Sequence, residues 1–108
     1  LTKKPNKTES QRILAVKQMP CIICNAPPIN DAHHITEYGS RLGHLFILPL
    51  CERDHRGDRG FSGINRSYWD KSLANQLKLL EEVCEILGVA PPVYETKIMR
   101  RNLDEEEG

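Results

Sequence analysis

The chain has 108 residues, enough for one domain with a real but thin core. Its net charge of zero hides a polarity: residues 1–70 hold ten Lys/Arg against seven Asp/Glu, and residues 71–108 hold five against eight. No apolar run approaches the length of a membrane span and no signal-peptide pattern opens the chain, so a membrane or secreted protein is excluded as an expectation and a cytoplasmic one favoured. The chain begins at Leu1 rather than Met, which leaves room for sequence upstream.

In chain order, the first expected element is a short helix. Thr8 and Gln11 have capping-box spacing, and a weakly amphipathic helix follows to about Gln18 before Pro20 ends it. Lys3, Lys4, Lys7, Arg12 and Lys17 make this segment basic, so residues 1–19 form an arm able to add a nonspecific phosphate-binding term. CIIC at 21–24 reads as a tight knuckle, and the stretch 25–30, with Pro27 and Pro28, as a loop. Residues 32–36 suit a short strand and residues 37–43 a turn or loop. The apolar run 45–50 suits a second strand, with Pro49 at an edge. A short helix is expected from Glu52, interrupted by the glycine-rich stretch 56–65. A longer helix is expected from about Arg66 to Leu87, where Leu73, Leu77, Leu80, Cys84 and Leu87 recur at helical spacing. Gly88 is its natural C′ residue, with Pro91 and Pro92 beyond. The acidic tail 91–108 is expected to be flexible.

The chemistry concentrates in three segments: CIIC at 21–24, AHHI at 32–35 and HLFILPLCERDH at 44–55. A two-residue gap lets Cys21 and Cys24 reach one tetrahedral metal from a single turn, and Cys51 closes the site from a distant segment. The fourth ligand is open on spacing alone: Asp54 gives C-x-x-D and His55 gives C-x-x-x-H. Cys84 falls on the apolar stripe of the last helix and reads as core. Neighbouring residues on a strand point to opposite faces, so His33 and His34 suit a division of labour: one imidazole on a metal, the other beside a phosphate. A neutral imidazole can take a proton from water near neutral pH.

The order and spacing of PCIIC, DAHHI, the LFILPLC strand leading into Asp54-His55, and Arg66-Ser67-Tyr68-Trp69 resemble the HNH, or ββα-metal, endonucleases. The closest branch is the phage-type recombination-enhancement nucleases, which are Ref-like and RecA-dependent. The resemblance covers residues 20–87. It implies an α+β fold: a small zinc-stapled ββα-metal core over residues 20–90, with flanking N- and C-terminal helices. It implies that Cys21, Cys24, Cys51 and Asp54 hold a structural Zn²⁺. It further implies that His33 and His55 hold a catalytic Mg²⁺ or Mn²⁺, that His34 is the general base and that His44 orients it. Arg41, Arg53, Arg56 and Arg59 are the expected phosphate contacts.

Two positions depart from the family pattern. Asp54 stands where relatives commonly have Cys or His, and Arg59 where they tend to offer another His. Relatives that act with RecA filaments carry a long basic N-terminal arm, and residues 1–19 supply a short one. The function expected is metal-dependent hydrolysis of DNA, single- or double-stranded, in phage or prophage recombination within a bacterial host. A recombinase filament is a further expected partner, and no membrane partner is expected. The alternative is a noncatalytic zinc module that binds nucleic acid or protein.

Overall fold

The computed structural model describes residues 4–56 and 69–95. The first helix, α1 (Lys7–Lys17), is capped by Asn6 rather than Thr8. Asn6 Oδ1 accepts from Glu9 N at 2.8 Å, and Glu9 Oε1 accepts from Asn6 N at 2.9 Å. This reciprocal box satisfies two backbone donors that would otherwise face water at the helix start, and it draws Thr8 into the first turn. At the other end Val16 is fully buried. The buried Asn30 amide donates to the carbonyls of Met19 (2.8 Å) and Ala26 (3.1 Å), which fastens the helix exit to the loop that leads into the first strand.

Four short strands follow: β1 (Asp31–His34), β2 (Thr36–Glu37), β3 (Ser40–Arg41) and β4 (Ile47–Leu50). β1 and β4 pair antiparallel, with His33 opposite Leu48 and His34 opposite Ile47. Pro49 has no N–H to give, but its carbonyl accepts from Ile22 N at 2.9 Å, so the strand edge it occupies is tied to the cysteine knuckle. β2 and β3 form a small hairpin where a turn or loop was expected. Tyr38 and Gly39 both have positive φ, 51° and 78°, as a two-residue type I′ hairpin turn requires. Tyr94 Oη donates to the buried Glu37 carboxylate at 2.6 Å and holds this hairpin to the chain that follows the last helix.

β4 runs directly into α2 (Glu52–Arg56). The last helix, α3 (Leu73–Leu87), starts later than the expected Arg66. Asp70 Oδ1 accepts from Ser72 N at 2.9 Å, and Ser72, extended at ψ 151°, accepts from Asn75 N at 3.2 Å. Trp69 therefore stands ahead of the helix instead of within its first turn. Gly88 closes it in the left-handed conformation at φ 72°. β4 is buried at every position because α1 and α3 pack on it while it pairs with β1. The core joins Val16 and Met19 to Ile35, Phe46, Ile47, Leu48 and Leu50, and to Leu80, Val83 and Cys84 of α3.

The architecture is α+β, with β1, β4 and α2 forming a ββα unit flanked by α1 and α3. Among the described residues no helix is long and apolar enough to cross a membrane. The expectations for the glycine-rich stretch after Arg56, for Arg59, for residues 66–68 and for the acidic end of the tail lie outside the described residues.

Candidate functional site

The knuckle and the start of α2 build the first centre. Asn25 adopts φ 64° and its N–H reaches the Cys21 carbonyl at 2.8 Å, which closes residues 21–25 into a turn and points two sulfurs the same way. Cys51, at the end of β4, and Asp54, one helical turn later, face them. The ligand atoms of Cys21, Cys24, Cys51 and Asp54 all lie within 4.8 Å of one another. Cys24 Sγ and Cys51 Sγ are 3.6 Å apart, and the sulfurs of Cys21 and Cys51 each lie 3.3 Å from Asp54 Oδ2. Tetrahedral zinc with Zn–S bonds of about 2.3 Å separates its donors by roughly 3.5–3.8 Å, so the donor set fits a structural zinc.

The electrostatics point the same way. Asp54 is 2% exposed, and burial opposes its ionisation, yet hydrogen bonds from Arg53 and the three thiols outweigh that and hold its carboxyl at about 2. Desolvation, reinforced by the Asp54 carboxylate and the neighbouring thiols, pushes the Cys24 thiol up to about 12, and Cys51 is raised mainly by desolvation and the Asp54 carboxylate, against a lowering hydrogen bond with Cys24. Three thiols crowded around a buried carboxylate are a poor proton store but a good cation cage. The fourth position left open by spacing goes to Asp54. His55 turns away, with its Nδ1 2.9 Å from Asp31 Oδ2.

The histidines form two pairs, as strand alternation requires. On one side, His33 of β1 and His55 of α2 have ring centroids 5.0 Å apart, edge to face. Two imidazoles bound to one ion at about 2.1 Å have centroids about 5 Å apart, so the pair fits a shared metal. Burial lowers His33 below the ordinary imidazole value, against a raising hydrogen bond with Gln76. Among the described residues the Cys–Asp cluster alone brings three or more close donors together.

On the other side, His34 Nε2 lies 3.1 Å from Nδ1 of His44, which is buried at the turn leading into β4. Burial, followed by the charge of Arg41 on β3 and the neighbouring His44, lowers His34 to about 4, so its ring is neutral at physiological pH.

Of the expected phosphate contacts, Arg41 is exposed beside this pair. Arg53 is half exposed and bonds Asp54 Oδ1 through Nε at 3.2 Å. Arg56 ends α2. Three residues with no expected role also reach the site. Asp31 holds His55, Gln76 Oε1 meets His33 Nε2 at 2.8 Å, and Trp69 Nε1 donates to the Asp54 carbonyl at 2.9 Å. Asp31 was detectable, since it is two residues before His33 and so shares its strand face. Gln76 was not, because its partner is 43 positions away.

Residues 5–82 match the family described as recombination enhancement, RecA-dependent nuclease. The chain belongs to that family. No curated protein and no solved structure gives a comparable match. This nuclease combines the family's sequence with a ββα unit and a four-residue metal-binding cluster, the arrangement of a metal-dependent nuclease.

Proposed function

We propose that the chain is a DNA endonuclease that hydrolyses phosphodiester bonds with His34 as general base, beside a divalent metal held by His33 and His55. The observation that carries this reading is the split of adjacent histidines on β1. One pairs with His55 at 5.0 Å and the other with His44 at 3.1 Å. In this reading His34 Nε2–H donates to His44 Nδ1 across 3.1 Å, which leaves His34 Nδ1 as the lone pair that takes a proton from water. That water attacks phosphorus, and the 3′ oxygen leaves with a proton from solvent, giving 5′-phosphate and 3′-hydroxyl ends. A divalent ion at His33 and His55 would stabilise the charge developing on the phosphate. Asp31 holds the His55 ring through Nδ1, so Nε2 is the nitrogen presented to a metal. Arg41, whose charge is felt at His34, would meet a neighbouring phosphate.

Zinc in the Cys21, Cys24, Cys51 and Asp54 cage serves structure, joining the knuckle to α2 so that His55 is held opposite His33. The family description supports recombination as the setting and a RecA-coated strand as one form of the substrate; the cytoplasm of a bacterial host is the location we propose. The test is cleavage of supercoiled plasmid and of single-stranded circles in Mg²⁺, in Mn²⁺ and in chelator, with His34→Ala alongside. Metal-dependent nicking that the variant lacks is expected. Undiminished cutting by His34→Ala would remove it as the base. DNA binding without turnover on naked or RecA-coated DNA in either metal would favour the noncatalytic zinc module.

A further inference from the structure

We propose that Gln76, on the first turn of α3, is a positioning residue that locks the tautomer of His33 and so selects which ring nitrogen faces the metal. The inference rests on the reading of His33 and His55 as a metal-binding pair.

The argument follows the amide. Gln76 Nε2 donates to the Lys71 carbonyl at 2.8 Å. A carbonyl can only accept, so this bond fixes the amide's orientation and turns Oε1 the other way. Oε1 lies 2.8 Å from His33 Nε2. An amide oxygen can also only accept, so Nε2 of His33 must carry the hydrogen, and the lone pair of the neutral ring sits on Nδ1. His55 is set the opposite way. Its Nδ1 faces the Asp31 carboxylate at 2.9 Å, so its lone pair sits on Nε2. The two rings thus present different nitrogens, Nδ1 from the strand and Nε2 from the helix, each backed by an acceptor on its far side.

The amide that does this is itself well anchored. Asn75 Nδ2 donates to the Asp70 carbonyl at 2.8 Å, parallel to the Gln76–Lys71 bond, so two side chains of the first turn tie back the segment before the helix. Trp69, in that segment, bonds the Asp54 carbonyl and stands edge-on to the His33 ring at 6.5 Å. The start of α3 therefore touches both the zinc cage and the histidine pair.

The experiment uses the full zinc-loaded chain, with Gln76→Leu and Gln76→Glu. Glutamate keeps an acceptor for His33, loses the bond to the Lys71 carbonyl and adds a negative charge. Long-range ¹H–¹⁵N NMR reads the His33 tautomer directly, and the spectrum of free Mn²⁺ reads metal affinity without any nuclease assay. Zinc content and thermal unfolding confirm that each variant is folded. The expected result is an Nε2–H ring in the wild type and in Gln76→Glu. Gln76→Leu should show mixed tautomers and Mn²⁺ affinity about ten- to a hundredfold weaker, the usual cost of losing such a partner. An Nδ1–H ring in the wild type overturns the proposal, as does a Gln76→Leu chain with unchanged tautomer and unchanged Mn²⁺ affinity. A wild-type chain that binds no Mn²⁺ while its tautomer still follows residue 76 sinks the metal-pair reading and leaves the lock standing.

Discussion

His34 Nε2 and His44 Nδ1 stand 3.1 Å apart, so one ring donates to the other. In the proposed mechanism His34 is the donor, so its Nδ1 would be the base and His44 would act by accepting. His34→Ala should then cost about 10²–10⁴ in kcat, the ordinary worth of a general base. His44→Ala should cost less and leave KM unchanged. His44→Asn should recover part of the loss, because an amide oxygen can accept the same hydrogen. Steady-state rates on plasmid decide it: an Asn variant no faster than the Ala variant would show that acceptance by residue 44 is not what matters.

Arg41 bears on the same ring. Burial is the largest cause of the drop of His34 to about 4, and the Arg41 charge is the next. A histidine whose value is depressed by folding contributes stability above its unfolded value, near 6.5, and that contribution is lost as pH falls towards 4. Arg41→Gln should raise the His34 midpoint part of the way back, since burial remains. An NMR titration of metal-free protein reads the midpoint, and a downward move would mean that the Arg41 charge is not felt at His34.

The parts of the site legible in the sequence were those encoded by short spacings. Two residues separate Cys21 from Cys24 and two separate Cys51 from Asp54, and a single turn of chain converts such gaps into convergent donors. The opposite facing of His33 and His34 follows from the strand period alone. The Gly88 stop and the buried Cys84 were equally local signals. What failed did so where a competing local bond won. Asn6 outcompeted Thr8 as the cap of α1, and the Asp70–Ser72 bond held Trp69 out of α3. The choice between Asp54 and His55 as fourth ligand was illegible because adjacent residues on a helix point about 100° apart. Only the packing of α2 against β1, which gives His55 to Asp31, decides it.

The zinc cage should release protons when it fills. Cys24, at about 12, and Cys51, also raised, are protonated at neutral pH without metal, and a bound ion needs thiolates. Calorimetry in buffers of different ionisation enthalpy should therefore show at least two protons released per zinc. The sign on stability is opposite for the two chain states. In the metal-free chain, thiols with raised values support folding below their unfolded values and that support is lost as pH rises towards 12. In the zinc-bound chain, affinity strengthens with pH. The gain in melting temperature from zinc should grow between pH 6 and 8. A gain independent of pH would argue against thiolate ligation.

Cys84 provides the internal control for that cage. It is 1% exposed in the core with Leu80 and Val83, and burial raises its thiol above the ordinary value. Cys84→Ala should leave zinc stoichiometry unchanged and cost roughly 1 kcal/mol of stability through lost packing. Cys51→Ala should lose the zinc. Metal analysis of the two purified variants separates the roles, and zinc loss from Cys84→Ala alone would reverse them.

The metal preference of the histidine pair follows from donor chemistry. Mg²⁺ is hard, favours oxygen and gives up its waters reluctantly, whereas imidazole suits softer divalent ions. Two imidazoles 5.0 Å apart, each backed by an acceptor, would form a nitrogen-rich half-shell for the proposed ion. Mn²⁺ should thus support faster cleavage than Mg²⁺ at equal concentration. Replacing one nitrogen donor with oxygen, as in His55→Asp, should narrow the gap while lowering both rates, because the Asp31 contact is lost at the same time. If Mg²⁺ matched Mn²⁺ in the wild type and the ratio did not move in His55→Asp, the ion would have to be bound through the phosphate and water, and His33 and His55 would not be its anchors.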